Sequence, residues 1–553
     1  MCKPLFFIAV FAMFGVSTLG VLTLASPSAW AEGLSRSDKL RVLYSNQFAF
    51  DRRGVPLITI GIVEGAREVV LEGSRGLRVL PDGEDGSEVR GGARWKVSII
   101  SSKKAAVEHF VILARVAMAR YAALAKARKV WEGRGAKVRM IEVGTIFGIK
   151  GHIFDNRAFV LVEGPFKSRR AARQRAEAHL AKKWLDKVAT VAQLAKRPSA
   201  RLQATDLGSG TQIRLRDAVW FAPASDRGVV SVGSVEGRSL GKKYWGQLYV
   251  TVDRNGRLAV VNAVPADKLL AGLVPAEIFP SAPIAALRAQ AIAARSDLLS
   301  KIGTRHFVDP YLICSWQHCQ VYRGAGYEQA RTTKAVTTTR GLILARKDGG
   351  LVDAVYHAVS GGFTEDNEKV WPGSPDPVLR GKLDGPGADM RAYRGGITEQ
   401  NIARWLAFRP QTWSARSGMN RTKVRWRVRR SSASISAKLK HLGMGPVVAI
   451  KVLSRGRSGR ARLVEVRGAL GKGRVRGELA IRRAFGNLRS SMFIVSPVRG
   501  ASGAVVAFEF TGGGWGHGVG MCQTGAIGMA KAGRRFKQIL QHYYSHVDIR
   551  RLY

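Results

Sequence analysis

The spacing of apolar residues along the chain changes several times, and each change marks a predicted unit. Residues 32–94 carry short apolar runs separated by glycines, a pattern typical of a small β-rich unit. Residues 95–195 alternate strand-like and helix-like patterns, whereas residues 196–212 have the Pro, Ser and Gly content of a linker. Together with a mixed α/β pattern over 213–553, this predicts a multidomain α+β protein.

Within residues 95–195 the predicted order of elements is βαββαβ, that of a ferredoxin-like split unit. The long first helix is predicted from a stretch rich in Ala, Leu and Arg. The predicted strands are 96–100, 138–143, 159–163 and 188–194, and the predicted helices are 106–132 and 168–184.

Two elements after residue 213 are predicted from strong local signals. Asn255-Gly256 lies between the apolar runs 247–252 and 258–264, which favours a β-hairpin. Ser281 and Pro283 suit the first turn of a helix that extends to residue 302. One apolar stripe at helical spacing predicts the core face of that helix: Leu287, Ala291, Ala294 and Leu298.

The first 31 residues have the three parts of a secretory signal peptide. A basic start at Met1-Cys2-Lys3 precedes the mostly apolar run 5–24, and Ala29-Trp30-Ala31 is a small-x-small cleavage site. A retained membrane anchor is the alternative, because the apolar run is almost long enough to span a bilayer. We predict cleavage and export to the periplasm, the cell envelope or the medium.

Net charge narrows the choice of partners. Lys and Arg number 89 against 40 Asp and Glu, a formal charge of +49. Nucleic acid is the usual partner of such a chain, but the predicted export and the lack of a nucleic-acid-binding motif argue against it. The charge instead suits the anionic polymers or lipids of a cell envelope.

Two cysteines and two histidines form a compact candidate metal site. His306, Cys314, His318 and Cys319 have the spacing H-x7-C-x3-H-C, the ligand set of a tetrahedral zinc site. The alternatives are a disulfide between Cys314 and Cys319, favoured by an oxidising compartment, and free packed thiols. A shared metal requires a turn at His318 and Cys319, because adjacent side chains point apart in regular structure. Zinc is the predicted cofactor.

A short segment of the βαββαβ unit resembles a SPOR domain. The segment is FVLVEGPFKS at 159–168, followed by Ala171-Ala172 in the second helix. SPOR domains bind peptidoglycan glycan strands that lack stem peptides, so the resemblance implies wall binding by residues 95–195. The alternative is a basic α+β spacer.

From about Tyr244 to the C-terminus the chain resembles the SpoIID/LytB family of cell-wall proteins. Four blocks carry the resemblance, in the order found in the family. They are VVN (260–262) with VPAE (274–277) and ALRAQAIAAR (286–295); HCQVYRG (318–324); AVYHAVSGGFTE (354–365) with Val370-Trp371; and GWGHGVGMCQTGA (514–526) with Ile539-Leu540 and Tyr543-Tyr544.

The resemblance implies roles for three residues. The enzymatic branch of the family consists of lytic transglycosylases that act on denuded peptidoglycan, and its catalytic glutamate falls on Glu277. Its basic helix residues, implied to bind substrate, fall on Arg288 and Arg295; Lys is more usual at position 288. Some members hold zinc with a similar Cys/His cluster. Taken without the resemblance, a glutamate in a proline-bounded turn before a helix is more often a cap or a surface residue.

Further substrate contacts are expected from the last two blocks. Ser360, Thr364 and Glu365 belong to a glycine loop that suits hydrogen bonding to a sugar, and Glu365 is the only obvious second carboxylate. The alternative is a turn with an exposed glutamate. The other candidates for the border of a glycan cleft are Trp515, His517 and Gln523, although His517 also suits a packed structural position.

The resemblance leaves two functions open. The first is a secreted lytic transglycosylase that cleaves glycan strands; the second is a non-catalytic amidase enhancer of the LytB type, whose partner is a cell-wall amidase. The presence of Glu277 with both basic helix residues favours the enzyme.

Overall fold

The computed structural model describes residues 43–45, 50, 54–81, 87–117, 121–149, 152–185, 188–225, 228–316, 318–371, 373–408 and 410–553. The predicted signal peptide, 1–31, lies outside these residues. Among the residues described, no helix is long and apolar enough to cross a membrane.

Strands predominate in the first half of the chain, and helices and strands are mixed in the second half. The first half contains β1 (Leu57–Ala66), β2 (Glu68–Glu72), β3 (Leu77–Leu80), β4 (Val89–Gly91), β5 (Arg94–Lys103), β6 (Ala106–Ala117), α1 (Tyr121–Gly133), β7 (Val138–Val143), β8 (Ile146–Ile149), β9 (His152–Asp155), β10 (Ala158–Phe166), α2 (Arg169–Ala181), β11 (Thr190–Lys196), β12 (Ser199–Asp206), β13 (Gln212–Arg216), β14 (Ala218–Pro223), β15 (Val230–Val235), β16 (Arg238–Tyr244), β17 (Gln247–Val252) and β18 (Leu258–Pro265). The second half contains α3 (Ala266–Glu277), α4 (Ile284–Ser300), β19 (Ile313–Cys314), α5 (Ala330–Thr338), β20 (Leu342–Arg346), β21 (Tyr356–His357), α6 (Asn367–Val370), α7 (Ile402–Ala407), α8 (Trp413–Arg416), α9 (Arg421–Val424), β22 (Arg425–Ser431), α10 (Ser432–Lys438), β23 (Val447–Arg455), β24 (Ala461–Gly468), β25 (Gly471–Arg476), α11 (Glu478–Ala484), β26 (Phe493–Arg499), β27 (Val505–Gly513), β28 (Met521–Cys522), α12 (Gln523–Lys531), α13 (Phe536–Tyr543) and β29 (Val547–Arg551).

Strands that lie far apart along the chain pair in two large sheets. One sheet has the order β19-β1-β18-β17-β14-β3-β4 and the other the order β13-β12-β5-β2-β15-β16. Strands of the predicted unit 32–94 therefore pair directly with strands of 213–553. The prediction of a linker over 196–212 is wrong, because these residues include β12, whose alternating burial lets Leu202 and Ala204 enter the core.

A four-stranded sheet of order β11-β6-β10-β7 carries α1 and α2 on one face, which is a βαββαβ arrangement. The predicted first strand, 96–100, belongs instead to β5 of the six-stranded sheet. The first half of the predicted helix 106–132 is also wrong, because 106–117 is strand β6. Alternation decides this: Val111 packs under the helices, whereas Phe110 faces the opposite side, where Phe307 packs.

The main core surrounds helix α4. The Asn255-Gly256 hairpin forms as predicted, with Val252 opposite Leu258, and β17 and β18 form the centre of the seven-stranded sheet. The predicted apolar stripe of α4 is buried, but so is nearly every other side chain of this helix. Helix α4 is thus enclosed on all sides, and the polar residues on it must find partners inside the protein.

Candidate functional site

Glu277 is the last residue of helix α3. The sequence pattern had predicted a turn at this position instead. The helix ends there because Ile278 adopts an extended backbone. The side chain is partly buried, and within the described part of the chain one donor reaches the carboxylate: the Val321 N–H lies 3.0 Å from Oε1. Burial raises the pKa of Glu277, with a further increase from Asp297, while the Val321 hydrogen bond opposes it. A partly accessible carboxyl with a raised pKa suits a general acid.

The two basic residues of α4 have different environments. Arg288 is partly exposed, and its Nε donates to Thr338 Oγ1 at 3.1 Å. Arg295 is fully buried; its guanidinium donates to Asp267 Oδ1 at 2.9 Å and to the carbonyl oxygens of Thr339 and Leu342. Arg288 is therefore available to a ligand, whereas Arg295 fastens α4 to its neighbours.

We expect the same substitution at the two arginines to change stability by very different amounts. Arg295→Met removes a buried guanidinium that donates to Asp267 and to two carbonyl groups, so it should lower the free energy of unfolding by about 3–5 kcal/mol. Arg288→Met should change that free energy by less than about 0.5 kcal/mol. Urea unfolding of both variants measures the difference, and similar stabilities would contradict the structural role given to Arg295.

The loop around Ser360 is a buried structural feature and not an open sugar-binding surface. Ser360 Oγ donates to Asp384 at 2.5 Å, and Thr364 Oγ1 accepts from Lys382 N–H at 2.9 Å. Glu365 accepts from the backbone N–H groups of Arg457 and Ser458 and from Ser458 Oγ. All three predicted residues are buried, so the expectations of direct sugar contacts and of an exposed glutamate do not fit this loop.

The C-terminal block places an aromatic pair at the surface. His517 Nε2 lies 3.0 Å from the Tyr356 carbonyl oxygen, and its Nδ1 accepts from Val519 N–H at 3.1 Å. Burial lowers the pKa of His517 to about 3, so the ring is neutral. Trp371, which is 42% exposed, packs on it with ring centroids 4.7 Å apart. In the sequence, Trp371 stands out only as part of the third block, and nothing there predicts its contact with His517.

The remaining two candidates also differ in exposure. Trp515 is 40% exposed and lies under the ammonium group of Lys423, 5.7 Å from the ring centroid. Gln523 is buried at the start of α12, where its Nε2 lies 3.3 Å from Gln290 Oε1 on α4. Trp515 can contact a ligand directly, whereas Gln523 joins two helices.

The four predicted metal ligands converge. Their ligand atoms all lie within 4.8 Å of one another: those of His306, Cys314, His318 and Cys319. The required turn is present, since Cys319 N–H donates to the Trp316 carbonyl oxygen at 3.0 Å. The two thiol sulfurs lie 2.9 Å apart, and both cysteines are free.

The surroundings of the cluster also suit a metal. His306 presents Nε2 to Cys319 Sγ at 3.2 Å, while its Nδ1 contacts Asp309 Oδ2 at 2.9 Å. A carboxylate behind the distal ring nitrogen is the usual second partner of a metal-bound histidine. The donor set of two thiols and two imidazoles fits zinc. The cluster can therefore hold a metal ion, and zinc remains a prediction.

The cluster and Glu277 are connected by a very short stretch of chain. Cys319 belongs to the cluster, and Val321, two residues later, donates to Glu277. A metal held by Cys319 would thus fix the position of the donor that faces the carboxylate.

Comparison with known proteins defines the class of protein. Residues 254–345 match the family described as "Stage II sporulation protein" (SpoIID), and residues 365–520 match a "Domain of unknown function (DUF8618)". An uncharacterized protein of Brachyspira hyodysenteriae is 28% identical over 310 residues, covering 56% of this chain and 73% of its own length. Stage II sporulation protein D of Bacillus amyloliquefaciens is 28% identical over 314 residues, with coverages of 54% and 78%. The Amidase enhancer of Bacillus subtilis is 26% identical over 305 residues, with coverages of 50% and 39%.

These matches place the chain among cell-wall proteins that carry a SpoIID domain. The SpoIID match and the named relatives confirm the resemblance to the SpoIID/LytB family that the sequence blocks indicated. Both matched ranges lie C-terminal to residues 95–195, so they leave the resemblance to SPOR domains as a prediction.

Proposed function

We propose that the protein is an exported lytic transglycosylase that cleaves peptidoglycan glycan strands between N-acetylmuramic acid and N-acetylglucosamine. The observation that carries the proposal is Glu277, a partly accessible carboxyl whose pKa is raised by burial and which accepts one hydrogen bond, from Val321 N–H. Among the residues that the structure describes, no donor reaches Oε2, so this oxygen is available to a substrate atom. The substrate class rests on family membership.

One carboxyl group is enough for this reaction. Glu277 first gives its proton to the glycosidic oxygen, and the bond from that oxygen to C1 of the muramoyl residue breaks. The carboxylate then takes the proton of the muramoyl 6-hydroxyl, whose oxygen bonds to C1 and closes a 1,6-anhydro ring. No water is activated, so the second carboxylate of ordinary glycosidases is not needed. The buried position of Glu365 is compatible with this scheme.

Other exposed side chains of the four sequence blocks can bind the glycan strand. Arg288, on the helix that follows Glu277, offers a partly exposed guanidinium to the anionic lactyl carboxylate of a denuded muramoyl residue. The exposed rings of Trp371 and Trp515 suit packing against the apolar faces of sugar rings. If zinc is bound, its role is to cross-link the loop between His306 and Cys319.

Stimulation of an amidase is the second candidate function. It is favoured by the similarity to a protein named Amidase enhancer, of which this chain covers 39%. The two functions separate when the mature protein is incubated with purified denuded strands alone and, in parallel, with intact sacculi and an amidase. Anhydro products from the strands alone support the enzyme. Faster amidase action that is unchanged by Glu277→Gln, without such products, supports the enhancer.

Wall binding by the βαββαβ unit is a further part of the proposal. The face of its sheet opposite the helices packs against Phe307, whereas Arg169 and Arg170 on the helical face are exposed at the start of α2. We expect the full mature chain to bind amidase-treated sacculi better than intact sacculi, and to keep this preference at 1 M salt, where the Debye length is about 3 Å.

The control for wall binding is a variant in which both arginines are glutamine. Weaker binding of Arg169→Gln/Arg170→Gln to treated sacculi at high salt would place the contact on α2. Equal binding of the parent chain to both kinds of sacculi, lost in salt, would leave only a basic spacer.

A further inference from the structure

A buried polar cluster lies behind Glu277, on helix α4. Asp297 is almost fully buried there, and Lys301 Nζ donates to its Oδ2 at 2.6 Å. The same oxygen accepts from Gln320 Nε2, which also donates to the Ala294 carbonyl oxygen at 3.1 Å. Burying an ion pair is expensive, so its presence beside a candidate acid calls for an explanation.

Gln320 connects this cluster to the acid. Its side-chain amide is fastened to α4 by Asp297 and Ala294, and the next peptide group along the chain is that of Val321. The Val321 N–H is the donor that faces Glu277 Oε1 at 3.0 Å. Asp297 therefore helps to fix the position of the Val321 N–H, because it holds the side-chain amide of the preceding residue, Gln320.

Asp297 is also one half of a carboxyl pair. Its Oδ1 accepts from no N–H or O–H group among the described residues, and the carboxyl of Asp353 lies close enough to Asp297 to share a hydrogen bond. Burial raises the pKa of Asp353 to about 6, while Lys301 opposes the increase.

Several other polar groups surround the cluster. Ser300 Oγ lies 3.4 Å from Asp353 Oδ1, and the guanidinium groups of Arg115, Arg305 and Arg346 act on the same carboxyl. Tyr356 and Tyr544 also interact with Asp297, and burial raises the pKa of both hydroxyl groups well above the usual value, which keeps them neutral. Among the described residues, the charges that act on Glu277 are those of Asp297 and Lys301.

We propose that Asp297 is a positioning residue for Glu277: through Gln320 it holds the Val321 N–H on the carboxylate, and its negative charge, balanced by Lys301, acts on the same carboxyl. This rests on the proposed role of Glu277 as the acid. Both Asp297 and Gln320 are buried, so each acts on the reaction through Glu277.

Two variants test the two parts of the proposal in the full mature chain. Asp297→Asn removes the charge and leaves Lys301 uncompensated, so kcat should fall about tenfold or more, and the alkaline limb of the kcat/KM profile should move by about one unit to lower pH. Gln320→Leu keeps the charge but removes the amide, so kcat should fall without movement of that limb, and KM should change little in both variants.

The matched control is Asp267→Asn. It also breaks an ion pair to α4, that with Arg295, but it does not act on Glu277. It should lower stability and leave the pH profile unchanged.

The proposal would be overturned if the alkaline limb stays in place in Asp297→Asn, or if it moves equally in Asp267→Asn. If the parent protein forms no anhydro products, the proposed function has failed instead. If Asp297→Asn does not fold, an unchanged kcat in Gln320→Leu still overturns the proposal.

Discussion

Replacing Glu277 with glutamine should abolish the release of 1,6-anhydro products, with a loss of about 10²–10⁴-fold in rate, because the amide cannot supply or accept the proton. Strand binding should be largely retained, since glutamine keeps the shape of the side chain and can still accept from Val321 N–H. Product release is followed by mass spectrometry of denuded strands, and binding by sedimentation with them.

The matched control is Glu328→Gln. Glu328 is also partly buried, burial raises its pKa as well, and it accepts from Trp245 Nε1 at 2.6 Å. Because glutamine preserves that hydrogen bond, this variant should keep its activity. Full activity in Glu277→Gln would remove Glu277 as the acid.

The same substitution has an expected sign for stability. The pKa of Glu277 is raised in the folded state, so the carboxylate ionises more readily in the unfolded chain. The free energy of unfolding therefore falls as the pH rises from the unfolded-state pKa through the folded-state pKa. Glutamine removes that cost. At neutral pH the unfolding free energy of Glu277→Gln should therefore be equal to or higher than that of the parent protein.

Loss of one thiol from the Cys/His cluster should have the second largest effect. The protein purified without added metal should contain one zinc per chain, and Cys319→Ser should lose it. The melting temperature should then fall by about 5–10 °C, because metal binding contributes to folding free energy. Activity should fall with it, since Cys319 is two residues from the Val321 donor.

Cys522→Ser is the control for this experiment. Cys522 is a buried thiol outside the cluster, at the N-terminus of α12, where it accepts from Gly525 N–H. This variant should retain its zinc. Protein without zinc, together with a mapped disulfide between Cys314 and Cys319, would contradict the metal site.

Local sequence signals predicted the elements nearest to Glu277. The hairpin at Asn255-Gly256 and the helix that follows Glu277 are decided by turn chemistry and by apolar spacing within a few residues. Strand β6 was missed because its Ala and Leu content suits a helix, whereas its pairing partners, β10 and β11, lie more than forty residues away.

The same limit applies to the site residues. Residue type identified Arg295 and Glu365 as candidate substrate contacts, but their burial is decided by partners far along the chain, such as Asp267 and Ser458. By contrast, the four metal ligands lie within one short segment, so their spacing was informative. The link from Asp297 through Gln320 to Glu277 joins three separate segments and has no signature in any one of them.

The most direct test of the proposed reaction is mass spectrometry of purified denuded glycan strands after incubation with the mature protein alone. The account predicts fragments that end in 1,6-anhydro-N-acetylmuramic acid. Two results would contradict the proposed reaction. One is fragments with reducing ends, which are heavier by one water, and the other is intact strands under conditions in which the protein still binds them.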